Sequence, residues 1–169
     1  MTATGTGALT VRDALAHDAP IICTIYNQGI EDRVATLETS LRTAEERAQW
    51  LAARGPRHPV LVAERDARVV GWGSLNPFSP RPAYDHVADF SIYVLREARG
   101  SGVGQVLIVA LEAHARAIGF HKLVLAMFDF NTAGIALYRR AGFRTVGTYR
   151  EQGMLDGRWV DVTVMEKLL

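Results

Sequence analysis

Three glycines stand within five residues of the segment Arg99–Gly104, RGSGVG, directly before an apolar pattern with helical spacing. Glycine permits positive φ and a close approach of the backbone to a ligand. A helix N-terminus adds unpaired N–H groups and the positive end of the helix dipole. The segment therefore predicts a cradle for phosphate groups, with Arg99 adding a charge-assisted hydrogen bond. The alternative is a turn that needs glycine for its conformation alone.

Two common nucleotide-binding motifs do not fit this segment. A P-loop ends in Gly-Lys-Ser/Thr, whereas Gln105 and Val106 follow Gly104. A dinucleotide-binding fingerprint is G-x-G-x-x-G near the first strand, with an acidic residue about 20 residues later. The glycines here are spaced G-x-G-x-G, late in the chain, and the next apolar run, KLVLAMF, contains no acidic residue. The phosphate cradle therefore belongs to another class of protein.

Two blocks of the sequence carry a family resemblance. RGSGVG resembles the R/Q-x-x-G-x-G/A signature of the GCN5-related N-acetyltransferases, and NTAGIALYRRAGF at 131–143 is similar to their N-x-x-A-x-x-L-Y-x-x-x-G-F pattern. The segments IYNQGIE, AYDHVADFSIYV and DGRWVDV resemble one branch, the phosphinothricin and methionine sulfoximine acetyltransferases. The resemblance runs from about Leu9 to Lys167 and covers nearly the whole chain.

The resemblance implies an α+β fold, a mixed α/β sandwich. Its mixed, twisted sheet has about six to seven strands and helices on both faces, and the fourth and fifth strands splay apart to admit acetyl-CoA. Ile92 and Val94 would pair their backbones with the pantetheine amides, and the Val94 N–H would also hold the oxyanion. The implied coenzyme contacts are Ile92, Tyr93, Val94, Arg99, Gly100, Ser101, Gly102, Val103, Gly104 and Asn131. For Asn131 a helix N-cap is an equally physical interpretation.

Acetyl transfer to an amine requires a base for the ammonium proton and an acid for the leaving thiolate. Asp89 is the candidate base, because it stands where the branch carries a glutamate. Its alternative is an edge-strand carboxylate paired with an arginine, and direct or water-mediated proton transfer both stay open. Tyr138 is the candidate acid; it follows Asn131 by seven residues and so shares its helix face. The alternative for Tyr138 is a packed core tyrosine.

The resemblance implies a small amine as acceptor, a free amino acid with a second polar or anionic group. Arg81 in SPRPAYD is the principal candidate contact, because the arginine fork binds oxyanions bidentately. Tyr84 and Phe78 flank it, and Asn27 and Thr36 are candidates for the far side of the pocket. Each of these five residues has an alternative role in loop packing or a turn.

Three departures from the branch pattern affect the acceptor pocket. Leu37 stands where the branch has an aromatic residue, Phe78 replaces a tryptophan, and Arg33-Val34 replaces a pair of small hydroxyl residues. If the Arg33 side chain points inward, it favours a more anionic acceptor; if it points outward, it is a solvated charge. Both orientations stay open at this point.

The helices and strands that position these residues are predicted from the periodicity of apolar residues and from the capping and turn residues between them. Asp18 and Pro20 mark the start of a first helix, and Thr43 and Glu46 have capping-box spacing for a second, which Gly55 closes. Two apolar runs around the turn 65–67 predict a hairpin. Strands are predicted in ALTVRDAL, VADFSIYVL, KLVLAMF, FRTVGTYRE and RWVDVTVMEKL, and helices in 102–119 and 131–142.

Composition limits the remaining classes of function. The 169 residues predict a single domain over 1–169, with 1–7 as a flexible tail. A formal net charge of +1 gives no basic surface for nucleic acid. A lone cysteine, Cys23, excludes an internal disulfide and, with no signal-like or membrane-length apolar run, predicts a cytoplasmic protein. The five histidines lack metal-ligand spacing, so no metal is expected.

The predicted activity is an N-acetyltransferase that moves the acetyl group of acetyl-CoA to a small amino-acid-like amine such as phosphinothricin or methionine sulfoximine. The family resemblance also implies a homodimer. Two alternatives remain: an acetyltransferase for protein or peptide N-termini, and a non-catalytic sensor of coenzyme A. The first requires an open groove for an extended peptide, and the second requires acetyl-CoA binding without thiol release.

Overall fold

A computed structural model describes residues 7–169 and has the predicted α+β architecture, one mixed sheet with helices on both faces. The predicted tail lies outside the described residues except for Gly7. The strands are β1 Leu9–Asp13, β2 Val60–Arg65, β3 Arg68–Pro77, β4 Val87–Val94, β5 Lys122–Phe128, β6 Arg144–Leu155 and β7 Arg158–Leu168. The α-helices are α1 Ala19–Glu31, α2 Ala44–Ala52, α3 Val103–Ile118 and α4 Thr132–Arg140. The sheet order is β1-β2-β3-β4-β5-β7-β6.

The strands β4 and β5 form the parallel pair at the centre of the sheet, and they separate after three residue pairs. Their pairing begins at Val87↔Lys122 and ends at Asp89↔Val124. Beyond that point β4 pairs with β3 as far as Val94, while β5 pairs with β7 as far as Phe128. The predicted splay of the fourth and fifth strands is therefore confirmed, and it opens a gap in the middle of the sheet.

The two faces of the sheet are covered by different helices. Trp72 on β3 packs against Tyr26 of α1 and Trp50 of α2, with ring centroids 6.2 and 5.6 Å apart. Its neighbour Gly73 faces the other way, where a Cβ would come within 2.7 Å of Leu111 on α3. Because alternate residues of a strand point to opposite faces, α1 and α2 cover one face and α3 the other.

Most predicted helix ends are observed, and two local assignments are wrong. Thr43 caps α2 in a capping box with Glu46, as predicted. The Asp18 carboxylate does not cap α1; it accepts from the Leu15 N–H at 2.7 Å and pairs with Arg12. Helix α2 ends at Ala52, before Gly55, because its last turn closes on the Ala53 N–H without a left-handed residue.

The hairpin between β2 and β3 has a two-residue turn, Asp66-Ala67, with both φ angles positive, at 51° and 58°. This is the type I′ geometry that matches the twist of paired strands. Within residues 7–169 no helix has the length and apolarity needed to cross a membrane.

Candidate active site at the strand divergence

A cavity of about 500 Å³ opens where β4 and β5 diverge. It is bounded by β4, the glycine segment, the N-terminal turn of α3, helix α4 and the segment after α1. Its lining includes nine of the ten predicted coenzyme contacts and the candidate acid: Ile92, Tyr93, Val94, Arg99, Gly100, Gly102, Val103, Gly104, Asn131 and Tyr138. The tertiary structure thus brings together residues that lie up to 46 positions apart in the sequence.

The backbone of β4 offers hydrogen-bonding groups to this cavity. The His86 carbonyl accepts from the Lys122 N–H, toward β5, whereas the Leu95 N–H donates to Val70, toward β3. Since peptide groups alternate along a strand, the even-numbered residues face the gap and the odd-numbered residues face β3. Ile92 and Val94 therefore direct N–H and C=O groups into the space that β5 has left.

The glycine segment forms the N-terminal turn of α3. The first helical hydrogen bond runs from the Val106 N–H to the Gly102 carbonyl, at 3.2 Å. The preceding N–H groups of Val103, Gly104 and Gln105 have no carbonyl partner within the helix, and all three residues line the cavity. These amides and the helix dipole make the segment suitable for an anion such as a pyrophosphate.

The three glycines of the segment are required for different reasons. Gly100 and Gly102 have φ angles of 73° and 88°, which disfavour any residue with a Cβ. Gly104 has no such angle; a Cβ there would come within 2.7 Å of Leu137 on α4. The first two glycines thus shape the loop, and the third allows α3 and α4 to pack closely.

Gly102→Val is expected to weaken acetyl-CoA binding by roughly tenfold or more, because the altered turn removes amide contacts to a charged group. Backbone strain should also cost about 1–3 kcal/mol of stability. Gly119→Val is the matched control, since Gly119 has a φ of 95° at the opposite end of the same helix. Calorimetric titration with acetyl-CoA and urea unfolding check both variants; equal coenzyme affinities would contradict the cradle.

Arg99 and Ser101 flank the loop in different ways. The Arg99 Nη1 donates to Asp32 Oδ2 at 2.6 Å and its Nε to the Val94 carbonyl at 3.3 Å, so its guanidinium lies at the edge of the cavity. Ser101 is the one predicted coenzyme contact outside the cavity lining. Its Oγ donates to the Ala98 carbonyl at 2.6 Å and accepts from Arg65 at 3.0 Å, which ties the loop to β2.

Helix α4 carries the candidate acid and its own cap. The Asn131 Oδ1 accepts from the Gly134 N–H at 3.0 Å, which confirms the N-cap, and its Nδ2 donates to the Val34 carbonyl at 3.3 Å. The buried Tyr138 ring packs against Phe143 at a centroid distance of 5.5 Å. Burial raises the pKa of Tyr138, and the charge of Asp89 raises it further. Its hydroxyl therefore keeps its proton at neutral pH.

Asp89 lies on β4 at the last residue pair before the strands separate. Burial raises its pKa to about 6, and a hydrogen bond from Asn76 opposes part of this shift. Its cross-strand neighbour is Asn76, whose Oδ1 accepts from Arg54 at 3.0 Å and from Ser74 at 3.1 Å and whose Nδ2 donates to Ser91 at 3.3 Å. A carboxyl group with a pKa near 6 is suited to act as a base at neutral pH.

Asp89 does not line the large cavity, but its face of β4 leads to it. Ser91 and Tyr93 share that face and line a smaller neighbouring cavity of about 70 Å³, which Tyr138 also borders. Burial is the main cause that raises the pKa of both Tyr93 and Tyr138, and the charge of Asp89 adds a smaller contribution to each. Candidate base and candidate acid are thus coupled electrostatically across the point of divergence.

The predicted acceptor contacts lie outside both cavities. Phe78 and Tyr84 pack edge to face at 5.4 Å on the exposed loop after β3, which also carries Arg81. The Asn27 side chain is occupied by the backbone N–H and C=O of Arg42, each at 2.9 Å. The Thr36 hydroxyl accepts from the Glu38 N–H at 3.2 Å.

The structure resolves the orientation of Arg33. Its Nε donates to Asp156 Oδ2 at 3.0 Å, and its Nη1 donates to the Ile30 carbonyl. The guanidinium thus joins the end of α1 to the β6–β7 turn and is paired, rather than being a solitary inward charge. Leu37 packs beside β6, where a Cβ on Gly153 would come within 2.5 Å of its Cδ2.

Some cavity residues were not found by sequence reasoning. Val34 and Ala35 line both cavities from the segment after α1, and Arg140 lines the larger one from the end of α4. Arg140 lies inside the second family block, which was the available signal. Val34 was visible in the sequence only as part of a departure from the branch pattern, and Ala35 carried no signal, because their position depends on how α1 meets the sheet. Among residues 7–169, no cluster of three potential metal ligands is present.

Comparison with known proteins agrees with this geometry. The model of the Acetyltransferase (GNAT) family matches residues 24–143. A methionine sulfoximine/methionine sulfone acetyltransferase from Pseudomonas paraeruginosa is 35% identical over 93% of this chain and 92% of its own length. The structure of a phosphinothricin acetyltransferase from Sinorhizobium meliloti in complex with AcCoA has a TM-score of 0.90 and 32% identity, covering 95% of this chain and 88% of that one.

A third protein bears on the alternative activity. The structure of a ribosomal-protein-alanine N-acetyltransferase from Brucella melitensis has a TM-score of 0.91 and 39% identity, covering 95% of this chain and 99% of that one. All three relatives are named as acetyltransferases, and the matched family region contains both sequence blocks and the strand divergence. The chain belongs to the acetyltransferase (GNAT) family.

Proposed function

We propose that this protein transfers the acetyl group of acetyl-CoA directly to the amine of a small amino-acid-like acceptor, such as phosphinothricin or methionine sulfoximine. The observation that carries the proposal is the strand divergence, where Asp89 ends the β4–β5 pairing and the buried Tyr138 lines the cavity that opens beyond it. This combination of base and acid is what amine acetylation requires. Detoxification of such compounds is a corresponding physiological role.

The polar groups that line the cavity match those of coenzyme A. The N–H groups at the start of α3 and the Arg99 guanidinium would hold the pyrophosphate, and the gap-facing groups of Ile92 and Val94 would pair with the pantetheine amides. When bound, acetyl-CoA supplies an activated acetyl thioester. The Val94 N–H would donate to the thioester oxygen.

The residues of the chain provide the two proton transfers. Asp89 takes the proton of the acceptor ammonium, directly or through a water molecule, and the raised pKa leaves it ionised at neutral pH. Tyr138 donates its proton to the departing sulfur. Its Phe143 and Phe90 contacts fix the ring, so the hydroxyl is held in one position.

The acceptor is proposed to enter from the α1 and α2 face, because Asp89, Ser91 and Tyr93 point to that side of β4. Arg81, Phe78 and Tyr84 would contact it from the exposed loop. Asn27 and Thr36 would act by holding the connection between α1 and α2, since their polar groups bond to its backbone.

An alternative acceptor is the N-terminus of a protein. The similarity to the Brucella melitensis protein, a ribosomal-protein-alanine N-acetyltransferase, favours it. The relatives named for methionine sulfoximine and phosphinothricin favour the small acceptor, as does the small size of the cavity that Ser91, Tyr93 and Tyr138 border, about 70 Å³.

A homodimer and a cytoplasmic location complete the proposal. The 12-residue edge strand β6 exposes Val146, Tyr149 and Met154, and β7 exposes Trp159, which together offer an apolar surface to a second copy. Sedimentation equilibrium tests the dimer. The single buried thiol, Cys23, suits a reducing compartment that contains acetyl-CoA.

Thiol release from acetyl-CoA tests the activity against a panel of acceptors. The panel contains phosphinothricin, methionine sulfoximine, the common amino acids and peptides with an N-terminal alanine, with a reaction lacking acceptor as the control. We expect turnover with the sulfoximine or phosphinate amino acids. Turnover with peptides alone would favour the alternative acceptor, and acetyl-CoA binding without any thiol release would indicate the non-catalytic sensor.

A further inference from the structure

Arg47 of α2 is a buried cation with 8% of its surface exposed. Its guanidinium carbon lies 4.3 Å from the ring centre of Tyr26, 4.6 Å from Trp50 and 5.7 Å from Trp72. Aromatic faces stabilise a desolvated cation, and they hold this guanidinium plane in one orientation. The aromatic rings do not, however, accept its N–H groups as a carboxylate would.

The polar groups around Arg47 are engaged elsewhere. The nearby ion pairs join Arg42 to Glu38 at 2.6 Å and to Glu46 at 3.9 Å. Within residues 7–169, the buried Nε of Arg47 and the buried Nε1 of Trp72 have no hydrogen-bond acceptor. Buried unsatisfied donors are rare in folded proteins, and an unpaired buried charge is costly. Of these two residues only Arg47 also lines a cavity, so its guanidinium is the group that an acceptor from outside the chain could reach.

A cavity of about 260 Å³ lies directly beside this cation, large enough for a carboxylate or phosphinate group. It is lined by Tyr26, Glu38, Arg42, Glu46, Arg47 and Trp50. The Arg42 guanidinium holds Glu38 through two hydrogen bonds of 2.8 and 2.6 Å, so its charge is already compensated. Of the two arginines that line the cavity, Arg47 is the one that has no side-chain hydrogen bond to a carboxylate among residues 7–169, so an oxyanion would bind on its side.

The cavity adjoins the acetyl-transfer site through two tyrosines. The ring of Tyr26, which borders this cavity, packs 5.0 Å from that of Tyr93, which borders the coenzyme cavity. Tyr93 also stacks on Trp72 at 4.7 Å. Arg47 is therefore on the α1 and α2 face of β4, the face on which Asp89 lies.

We propose that Arg47 binds an oxyanion of the acceptor, either its α-carboxylate or a side-chain phosphinate. This inference rests on the proposed function and adds a binding residue to it. The fork of Arg47 forms charge-assisted hydrogen bonds to the oxyanion, while the aromatic rings exclude water from the pair. An acceptor held there lies on the α1 and α2 face of the sheet, the face that also carries Asp89.

The test is calorimetric titration of two probes into the protein saturated with coenzyme A. Phosphinothricin carries both a carboxylate and a phosphinate, whereas methionine sulfone carries only the carboxylate. Arg47→Met keeps an unbranched stem among the rings, and Arg47→Lys keeps the charge but loses the fork. Arg57→Met is the matched control, because Arg57 stacks on Phe120 at 4.5 Å outside these cavities.

We expect Arg47→Met to weaken probe binding by roughly 10- to 100-fold, the loss of hydrogen bonds to a charged group, with Arg47→Lys in between. Arg57→Met should bind both probes as the wild type does, and coenzyme A affinity should be unchanged throughout. Weakening of both probes assigns the α-carboxylate, and weakening of phosphinothricin alone assigns the phosphinate. If Arg47→Met fails to fold in a urea titration, Arg47→Lys carries the same comparison.

Two results would overturn the inference. One is binding within twofold of the wild type in the Arg47 variants, and the other is a wild-type protein that binds neither probe. Failure of the proposed function gives a different result: Arg47-dependent binding of a probe with no thiol release from acetyl-CoA. In that case the oxyanion site stands and the transfer reaction does not.

Discussion

Asp89→Asn is expected to lower kcat/KM for amine acetylation by about 10²–10⁴-fold above pH 6, the usual contribution of a positioned general base. The amide has nearly the shape of the carboxylate but cannot accept the ammonium proton. Thiol release with saturating acetyl-CoA and varied acceptor measures the loss. A variant that retains the wild-type rate would place the base elsewhere.

The pH profile gives a second measure of the same role. Since burial raises the pKa of Asp89 to about 6, the wild-type rate should rise with pH through about 6 as the base ionises and then level off. The Asn variant should lose this limb of the profile. The rate difference between the two proteins is therefore largest above pH 6 and shrinks below it.

The stability of the same variant separates loss of chemistry from loss of fold. The folded-state pKa of Asp89 lies above its ordinary value of 3.8, so the ionised carboxylate is disfavoured by folding. The wild type thus loses free energy of unfolding as pH rises from about 4 to 6, by up to roughly 3 kcal/mol. Asp89→Asn should lack this loss and be the more stable protein at pH 8 by urea unfolding, while it is the less active.

Tyr138→Phe is expected to lower kcat by about 100-fold with little change in acetyl-CoA affinity. The ring contacts with Phe90 and Phe143 remain, so the fold is retained, but the proton for the departing sulfur is lost. Burial, with the charge of Asp89, raises the pKa of Tyr138, so the wild-type hydroxyl is a proton donor at neutral pH.

Tyr149→Phe is the matched control for Tyr138→Phe. It removes a hydroxyl from an exposed tyrosine on β6, with 57% of its surface accessible. Single-turnover thiol release separates the chemical step from product release in all three proteins. An equal chemical rate in Tyr138→Phe and the wild type would assign Tyr138 to the core alone.

The Asp89, Tyr138 and Arg47 predictions concern separable parts of one reaction. Asp89 and Tyr138 should affect kcat or its pH dependence, whereas Arg47 should affect acceptor affinity. The structure separates them because Tyr93 lies between the acetyl-transfer point and the aromatic rings that hold Arg47. A double variant of Arg47 and Tyr138 should therefore show nearly additive effects on the free energy of transfer.

The sequence by itself determined the features that depend on neighbouring residues. The capping box of Thr43 and Glu46, the Asn131 N-cap, the hairpin at Asp66-Ala67 and the glycine turn before α3 are set by local backbone and side-chain chemistry. Two sequence blocks, RGSGVG and NTAGIALYRRAGF, and their order along the chain were sufficient to identify the family. Asp18 shows the limit of such local rules. Its carboxylate pairs with Arg12, a residue outside the helix, instead of capping α1.

Only the tertiary structure decided the features that depend on distant residues. The partner of Arg33 is Asp156, and the role of Gly104 is set by Leu137. Neither contact can be predicted from the spacing of residues along the sequence. The cation at Arg47 is defined by rings from α1, α2 and β3, which only the packing of both helices on the sheet brings together. The raised pKa of Asp89 likewise comes from burial, a property that the packed fold produces and the amino-acid type does not contain.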